Sequence, residues 1–318
     1  MYSINKYSSK DISIWSKTNI ISLHIKIHNN ILSYNNINHN GYFDRGESIL
    51  ELIKETLLHH KINDVEIFVN LMDNPQNNPY FLAFSRTSTC PINTVPNFSF
   101  YQWKVANLLN FFDIKEDILN NNVEWDKKID KIMWSGTNSS DIRDKLNSFK
   151  NDNMYEYNIS SETNKFYKLT DHSDYKYLLD LEGIGYSGRF PYLALTSSCV
   201  IVLQSSDPKK DYKLYYDNDF KEDVHYLRVI YDPNEEISNI NQKIFDKIKN
   251  SNCKKIGEEC QKFAIDYFTK DKILLYWANI LNYYASHYED SDNIYNPNLF
   301  YSITYITDRI KKRLIGKR

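Results

Sequence analysis

One stretch constrains this chain more than any other: Asp174 to Gln204, DYKYLLDLEGIGYSGRFPYLALTSSCVIVLQ. Tyr175 to Leu181 is an aromatic and aliphatic run with strand character. Glu182 to Arg189 (EGIGYSGR) packs three glycines and a serine into eight residues. Phe190 to Thr196 suits one or two helical turns, and Cys199 to Leu203 is a short apolar run of the buried parallel-strand type. Strand, Gly-rich turn, helix and strand in that order predict a loop whose backbone N–H groups open onto a helix N-terminus and hold an anion. Arg189 closes the loop, so a phosphate-bearing ligand is expected there.

The flanking sequence extends the same alternation. Ile20 to Tyr34 alternates around an Asn-Asn pair and predicts a hairpin. Glu47 to His60 has apolar residues at helical spacing; Val65 to Leu71 and Tyr80 to Phe84 read as strands. Trp103 to Asn120 reads as a helix, Lys131 to Trp134 as a strand, and His225 to Ile230 as another. Helices are expected over roughly 238–250, 253–268 and 271–288. This is an α/β pattern. The 318 residues suffice for two lobes, divided near 121–130. The expected division is an N-terminal lobe over 1–125, a C-terminal lobe over 126–290, and a basic tail over 291–318 that packs back on the first.

Charge narrows the partners. Thirty-nine basic residues nearly cancel 41 acidic ones, so no global field argues for nucleic acid or an anionic membrane. The four cysteines show no metal-binding spacing and read as reduced thiols. The first residues lack the apolar core of a signal peptide, and no apolar run reaches membrane-spanning length. A soluble, cytoplasmic protein is expected.

Three groups of residues carry candidate chemistry. Asp73 follows a buried-type strand; it is either a general base at the strand's end or a turn cap beside Pro75. The segment from Ser135-Gly136-Thr137 to Arg143 is either an anion-binding loop or an ordinary helix start. The segment Ile184-Gly185-Tyr186-Ser187-Gly188-Arg189 is a second such loop or a structural turn. Glu182 is open between a hydroxyl ligand and a solvated acid, and His172 and His225 between ligands and satisfied structural histidines. Two D-x-D triplets, Asp217-Asn218-Asp219 and Asp290-Ser291-Asp292, have the form of a divalent-cation pair but sit in Asn-rich loops.

YKYLLDLEGIGYSGRFPYLAL strongly resembles the signature of glycosyltransferase family 90, which includes protein O-glucosyl- and O-xylosyltransferases. VNLMDNPQ, FLAFSRTS, WSGTNSSDIR and HYLRV resemble further family segments in the same order. The resemblance implies a GT-B-type fold of two Rossmann-like lobes around a cleft, with C-terminal helices. It implies an inverting enzyme that moves glucose or xylose from a UDP-sugar to a hydroxyl of a glycan or protein. No cofactor or metal is expected. It makes Asp73 the catalytic base and gives donor contacts to Thr137, Arg143, Ile184, Gly185, Tyr186, Ser187, Gly188 and Arg189. Ser135 stands where most relatives have arginine, with Lys131 or Lys176 as the expected replacement. Arg45 falls in a segment that relatives use near the acceptor. The short NTVPNFSFYQWKVAN segment lacks the Gly/Pro/Trp-rich loop of relatives that modify secreted repeats, which argues against a folded disulfide-rich acceptor. The alternative expectation is a non-catalytic nucleotide-sugar or glycan-binding protein on this scaffold.

Overall fold

A computed structural model describes residues 1–15, 21–37, 42–103, 108, 110–163, 165–289 and 301–303. The chain forms two compact units, one from the described residues of Met1–Phe84, Pro91–Leu109 and Lys270–Arg318, the other from Ser85–Cys90 and Asn110–Thr269. The basic tail beyond residue 303 and the second D-x-D triplet lie outside the described residues.

In the first unit, β1 (Tyr7–Ser8) and α1 (Ser9–Trp15) precede a hairpin of β2 (Ser22–His28) and β3 (Ile31–Ile37). Asn29 and Asn30 form its turn with φ of 50° and 61°. Asn tolerates this left-handed geometry better than most residues, so the Asn-Asn pair sets the hairpin. Helix α2 (Phe43–His59) buries Ile49, Leu50, Leu52, Ile53 and Thr56 on one face, as its spacing predicts. Strand β4 (Val65–Asn70) is buried at all six positions, and β5 (Phe81–Leu82) is shorter than the Tyr80–Phe84 run.

The second unit begins its helices with α3 (Phe111–Asn120). A helix from Trp103 is not what forms. Trp103 bridges Leu108, and the Asn110 side chain caps α3 by accepting from Phe112 N at 2.8 Å. Strand β6 (Ile129–Gly136), α4 (Asp141–Leu146), β7 (Tyr155–Ile159), α5 (Ser160–Thr163), β8 (Tyr175–Leu181), α6 (Phe190–Leu193), β9 (Cys199–Ser205) and β10 (Leu227–Tyr231) follow. Helices α7 (Ile237–Lys249) and α8 (Cys253–Tyr267) complete the unit. The chain then returns to the first unit with α9 (Lys270–Ala285), β11 (Tyr288–Glu289) and β12 (Tyr301–Ile303).

The two sheets differ in kind. The first unit's order is β12-β3-β2-β4-β5, with β3 and β4 both antiparallel to β2 and only β4–β5 parallel. This mixed sheet departs from the Rossmann-like lobe expected there. The helix read as Asp271–Tyr288 forms as α9, and it packs on α2 and β4 of the first unit instead of on the C-terminal half. The second unit's order is β10-β9-β8-β6-β7, all parallel. Counting those strands along the chain gives 2-1-3-4-5, the doubly wound order.

Apolar strands explain why this sheet is buried. Leu178, Leu179, Val200, Ile201 and Leu203 are each at most 4% exposed, and each contributes about 1.5–3 kcal/mol relative to an exposed side chain. At the other end of the sheet, Lys128 is buried, its ammonium donating to Ser173 O, Thr196 O (2.9 Å) and Ser198 Oγ (3.1 Å). Burial lowers its pKa to about 8. All four cysteines are free and buried. No helix among the described residues is long and apolar enough to cross a membrane.

Candidate functional site

Strand order places the site. In the second unit β6 lies between β7 and β8, so the connections leaving β6 and β8 depart toward opposite sides of the sheet. Such a switch point opens a crevice at the C-terminal strand ends. The loop after β6 (Thr137–Ser140) and the loop after β8 (Glu182–Arg189) both start there.

Trp134 is the shared platform. It is buried near the end of β6 and stacks on Tyr157 of β7 at 4.7 Å, its register partner. The guanidinium of Arg143 lies 5.2 Å from the Trp134 ring and that of Arg189 lies 5.3 Å from it. Both contacts fall within cation–π range.

The two arginines are held differently. Arg143 is buried on α4; its Nη1 donates to Thr137 O (3.1 Å) and Ser139 Oγ (2.8 Å), and its Nη2 donates to Leu181 O (2.9 Å). The fork expected to face a diphosphate joins the first loop to the end of β8. Burial first, and Arg189 second, lower its pKa to about 10, so it stays charged near neutrality. Arg189 is half-buried and donates from Nη1 to Ser135 O. Burial lowers its pKa too, opposed by Asp180. The helices that follow the loops have only six and four residues, so the expected helix-dipole contribution is small. Positive potential at this crevice comes from the arginines.

Gly136 makes that arrangement possible. A Cβ there would collide with Arg189 Nη2 and stand 2.9 Å from Trp134 Cζ2. A Cβ at Gly183 would stand 3.1 Å from Ser139 Oγ and 3.3 Å from Arg143 Nη2. In the second loop, Ser187 Oγ donates to the buried Asp180 carboxylate, whose pKa burial raises. Ile184 is 71% exposed at the loop tip, while Gly185 and Tyr186 are buried; Ser187 and Gly188 are half-buried and Thr137 is exposed. Glu182, left open in the sequence, accepts from Tyr231 OH at 2.9 Å and through its carbonyl from Ser140 Oγ at 2.9 Å. Burial raises its pKa.

The first unit holds the other candidate. Asp73 lies just past β4, and Arg45 of α2 grips it: Nη1 donates to Oδ1 at 2.8 Å and Nη2 to Oδ2 at 3.3 Å. Nη1 also donates to Leu71 O at 2.8 Å. The guanidinium stacks on Tyr42 and Phe98, each at 4.7 Å. Asn70 secures the turn, accepting from Met72 N and donating to Asn74 O, both at 2.9 Å.

Other candidates fall elsewhere. Lys131 and Lys176 sit near the N-terminal ends of β6 and β8, opposite the crevice, and pair with Glu156 (4.0 Å) and Asp130 (3.3 Å). Neither replaces an arginine at position 135. Asp217 faces a cavity, whereas Asp219 accepts from Tyr267 OH at 2.6 Å, so this D-x-D does not converge. Among the described residues no cluster of three or more His, Cys, Asp or Glu is placed to hold a metal. His225 accepts from Lys221 N (3.0 Å) and stacks on Phe263, and His172 is buried and donates to Lys168 O (3.0 Å). Sequence reasoning missed Trp134 as a platform and Asp180 as the loop's acceptor. Both were visible inside quoted motifs, without a spacing that marks them.

Comparison with known proteins bears on this geometry. A family model described as glycosyl transferase family 90 matches residues 38–296. The chain is similar to protein O-glucosyltransferase 1 of Mus musculus, 26% identical over 298 residues that cover 84% of this chain and 71% of that protein. It is similar to protein O-glucosyltransferase 1 of Homo sapiens, 25% identical over 256 residues, covering 71% and 63%. It is also similar to the O-glucosyltransferase rumi homolog of Aedes aegypti, 26% identical over 217 residues, covering 58% and 52%.

Proposed function

This chain belongs to glycosyltransferase family 90, and from that premise we propose that it transfers glucose or xylose from a UDP-sugar to a hydroxyl of a glycan or protein. The observation that supports this reading most is the pair of arginines on Trp134 at the switch point, where a nucleotide's phosphates bind in doubly wound sheets.

The proposed reaction is a single inverting displacement. The acceptor oxygen attacks the anomeric carbon, the bond from that carbon to the UDP oxygen breaks, and its electron pair leaves with UDP. Asp73 takes the acceptor's proton. Charge accumulating on the departing diphosphate is met by Arg189 and by the N–H groups of the Ile184–Arg189 loop, with Arg143 and Thr137 shaping the first loop. Preorganised donors of this kind are worth about 10²–10³ in rate each. With that charge met by guanidinium groups, the reaction as proposed needs no metal.

The test is UDP release across a panel of UDP-sugars, with and without EDTA. Release with UDP-glucose or UDP-xylose, unchanged by EDTA, is expected. Silence across the panel with UDP still bound would return the chain to a non-catalytic binding role. Activity lost to EDTA and restored by a divalent ion would overturn the metal-free mechanism.

A further inference from the structure

A cavity of about 80 Å³ lies beside the second loop, within the second unit. Asp180 and Ser187 reach it from β8 and the loop, and Tyr216 and Asp217 reach it from the segment between β9 and β10. Lys210 and Arg228 also line it. One wall is aromatic: Phe190 stacks on Tyr216 at 5.5 Å and meets Phe220 edge-on at 5.0 Å.

Two features point to a ligand. Tyr216 is 3% exposed, and its buried hydroxyl has no hydrogen-bond partner among the described residues. A polar group left in that state costs about 1–3 kcal/mol. The acids supply the second feature. Asp180 and Asp217 are both pushed up by burial, Asp217 to about 7. Near neutrality Asp217 therefore offers the cavity both a carboxylate acceptor and a carboxylic O–H donor, next to an aromatic face.

That combination suits a ring bearing several hydroxyls and an apolar face. An additional phosphate suits it poorly, because Asp180, Glu182 and Asp217 oppose Lys210 and Arg228. A whole nucleotide sugar is too large, since pockets enclosing ligands of that size begin at roughly 300 Å³. We infer that the cavity receives the sugar ring of the donor, and that Tyr216 and Asp217 select which sugar is accepted. This rests on the transferase reading above.

Calorimetric titration of the full chain with UDP, UDP-glucose and UDP-xylose tests it, on wild type, Tyr216→Phe and Asp217→Asn. Two variants are used because either buried change alone can unsettle the fold; thermal melting checks both. Expected is UDP affinity unchanged within about twofold, while the preferred UDP-sugar loses about tenfold or more, or the glucose-to-xylose preference shifts by that much. UDP and UDP-sugar weakening together in folded variants would overturn the inference, as would UDP-sugar binding indifferent to both changes. Wild-type protein that binds none of the three overturns the transferase reading and this inference with it.

Discussion

Arg45 and Asp73, 28 residues apart, form a forked ion pair at 2.8 and 3.3 Å in which the guanidinium itself lies over the rings of Tyr42 and Phe98. The carboxylate is thus oriented by a rigid partner. With Asp73 as the base, Asp73→Asn lowers kcat by about 10²–10⁴ and leaves UDP affinity intact. Arg45→Lys keeps the charge but loses the fork, so kcat falls by about tenfold with donor KM unchanged. Steady-state kinetics and UDP calorimetry check both. Lost UDP binding in Asp73→Asn would refute the base assignment, and an unaltered kcat in Arg45→Lys would refute the orienting role.

Gly136 and Gly183 rank differently, and the ranking is testable. A methyl at 136 meets Arg189 and Trp134 directly, while one at 183 finds its nearest neighbours at 3.1 and 3.3 Å. Gly136→Ala should cost about 1–3 kcal/mol of stability through overpacking and weaken UDP binding by displacing Arg189. Gly183→Ala should cost less on both counts. Urea unfolding and UDP titration of the two variants measure this, and the reverse order would contradict the placement of Arg189.

How much was legible in the sequence follows from the range of each interaction. The Asn29–Asn30 turn, the α2 face and the β8-loop-α6-β9 unit rest on neighbours within a few residues, and local spacing encodes them. The loop after β8 was read as a site because glycines and an arginine sit together in the chain. The pairs Arg45–Asp73, Tyr231–Glu182 and Asp217–Asp180 join residues 28, 49 and 37 positions apart. No periodicity marks them. Strand direction is equally silent: β2 and β4 look like any buried strands, and only the fold shows that they run antiparallel. The misplaced lysines, Lys131 and Lys176, show the same limit. They are close to the loops in sequence, but they occupy the opposite ends of their strands.

Arg143 offers a sharper discrimination between contact and positioning. Its donations go to Thr137 and Ser139 of the first loop and to Leu181 at the end of β8, at 2.8 to 3.1 Å. Arg143→Lys keeps one positive charge but cannot span Thr137, Ser139 and Leu181 at once. Stability should fall by about 1.5–3 kcal/mol, the scale of lost hydrogen bonds to a charged group. Donor KM should rise, with kcat following only modestly. A large loss of kcat at unchanged stability would instead make Arg143 a direct ligand of the departing diphosphate.

His172 supplies a pH signature of the second unit. The ring is 4% exposed, and its Nδ1–H donates to Lys168 O across 3.0 Å. Burial lowers its pKa from 6.5 to about 4; Arg189 adds to the lowering, while the Lys168 carbonyl and Asp171 oppose it. The folded state therefore holds His172 neutral where the unfolded chain binds a proton. Its contribution to stability is complete above pH 6.5, and is lost as pH falls from 6.5 through 4. The loss is on the order of 3 kcal/mol across that window. Unfolding free energies of wild type and His172→Gln, measured by urea titration between pH 8 and pH 4 on the scale of the linkage relation (roughly 1.4 kcal/mol per unit of pH and proton), isolate it from the carboxylates. The wild-type curve should drop more steeply than the variant's from about pH 6 downward. Parallel curves would mean that the folded protein takes up the proton at His172 as readily as the unfolded chain does.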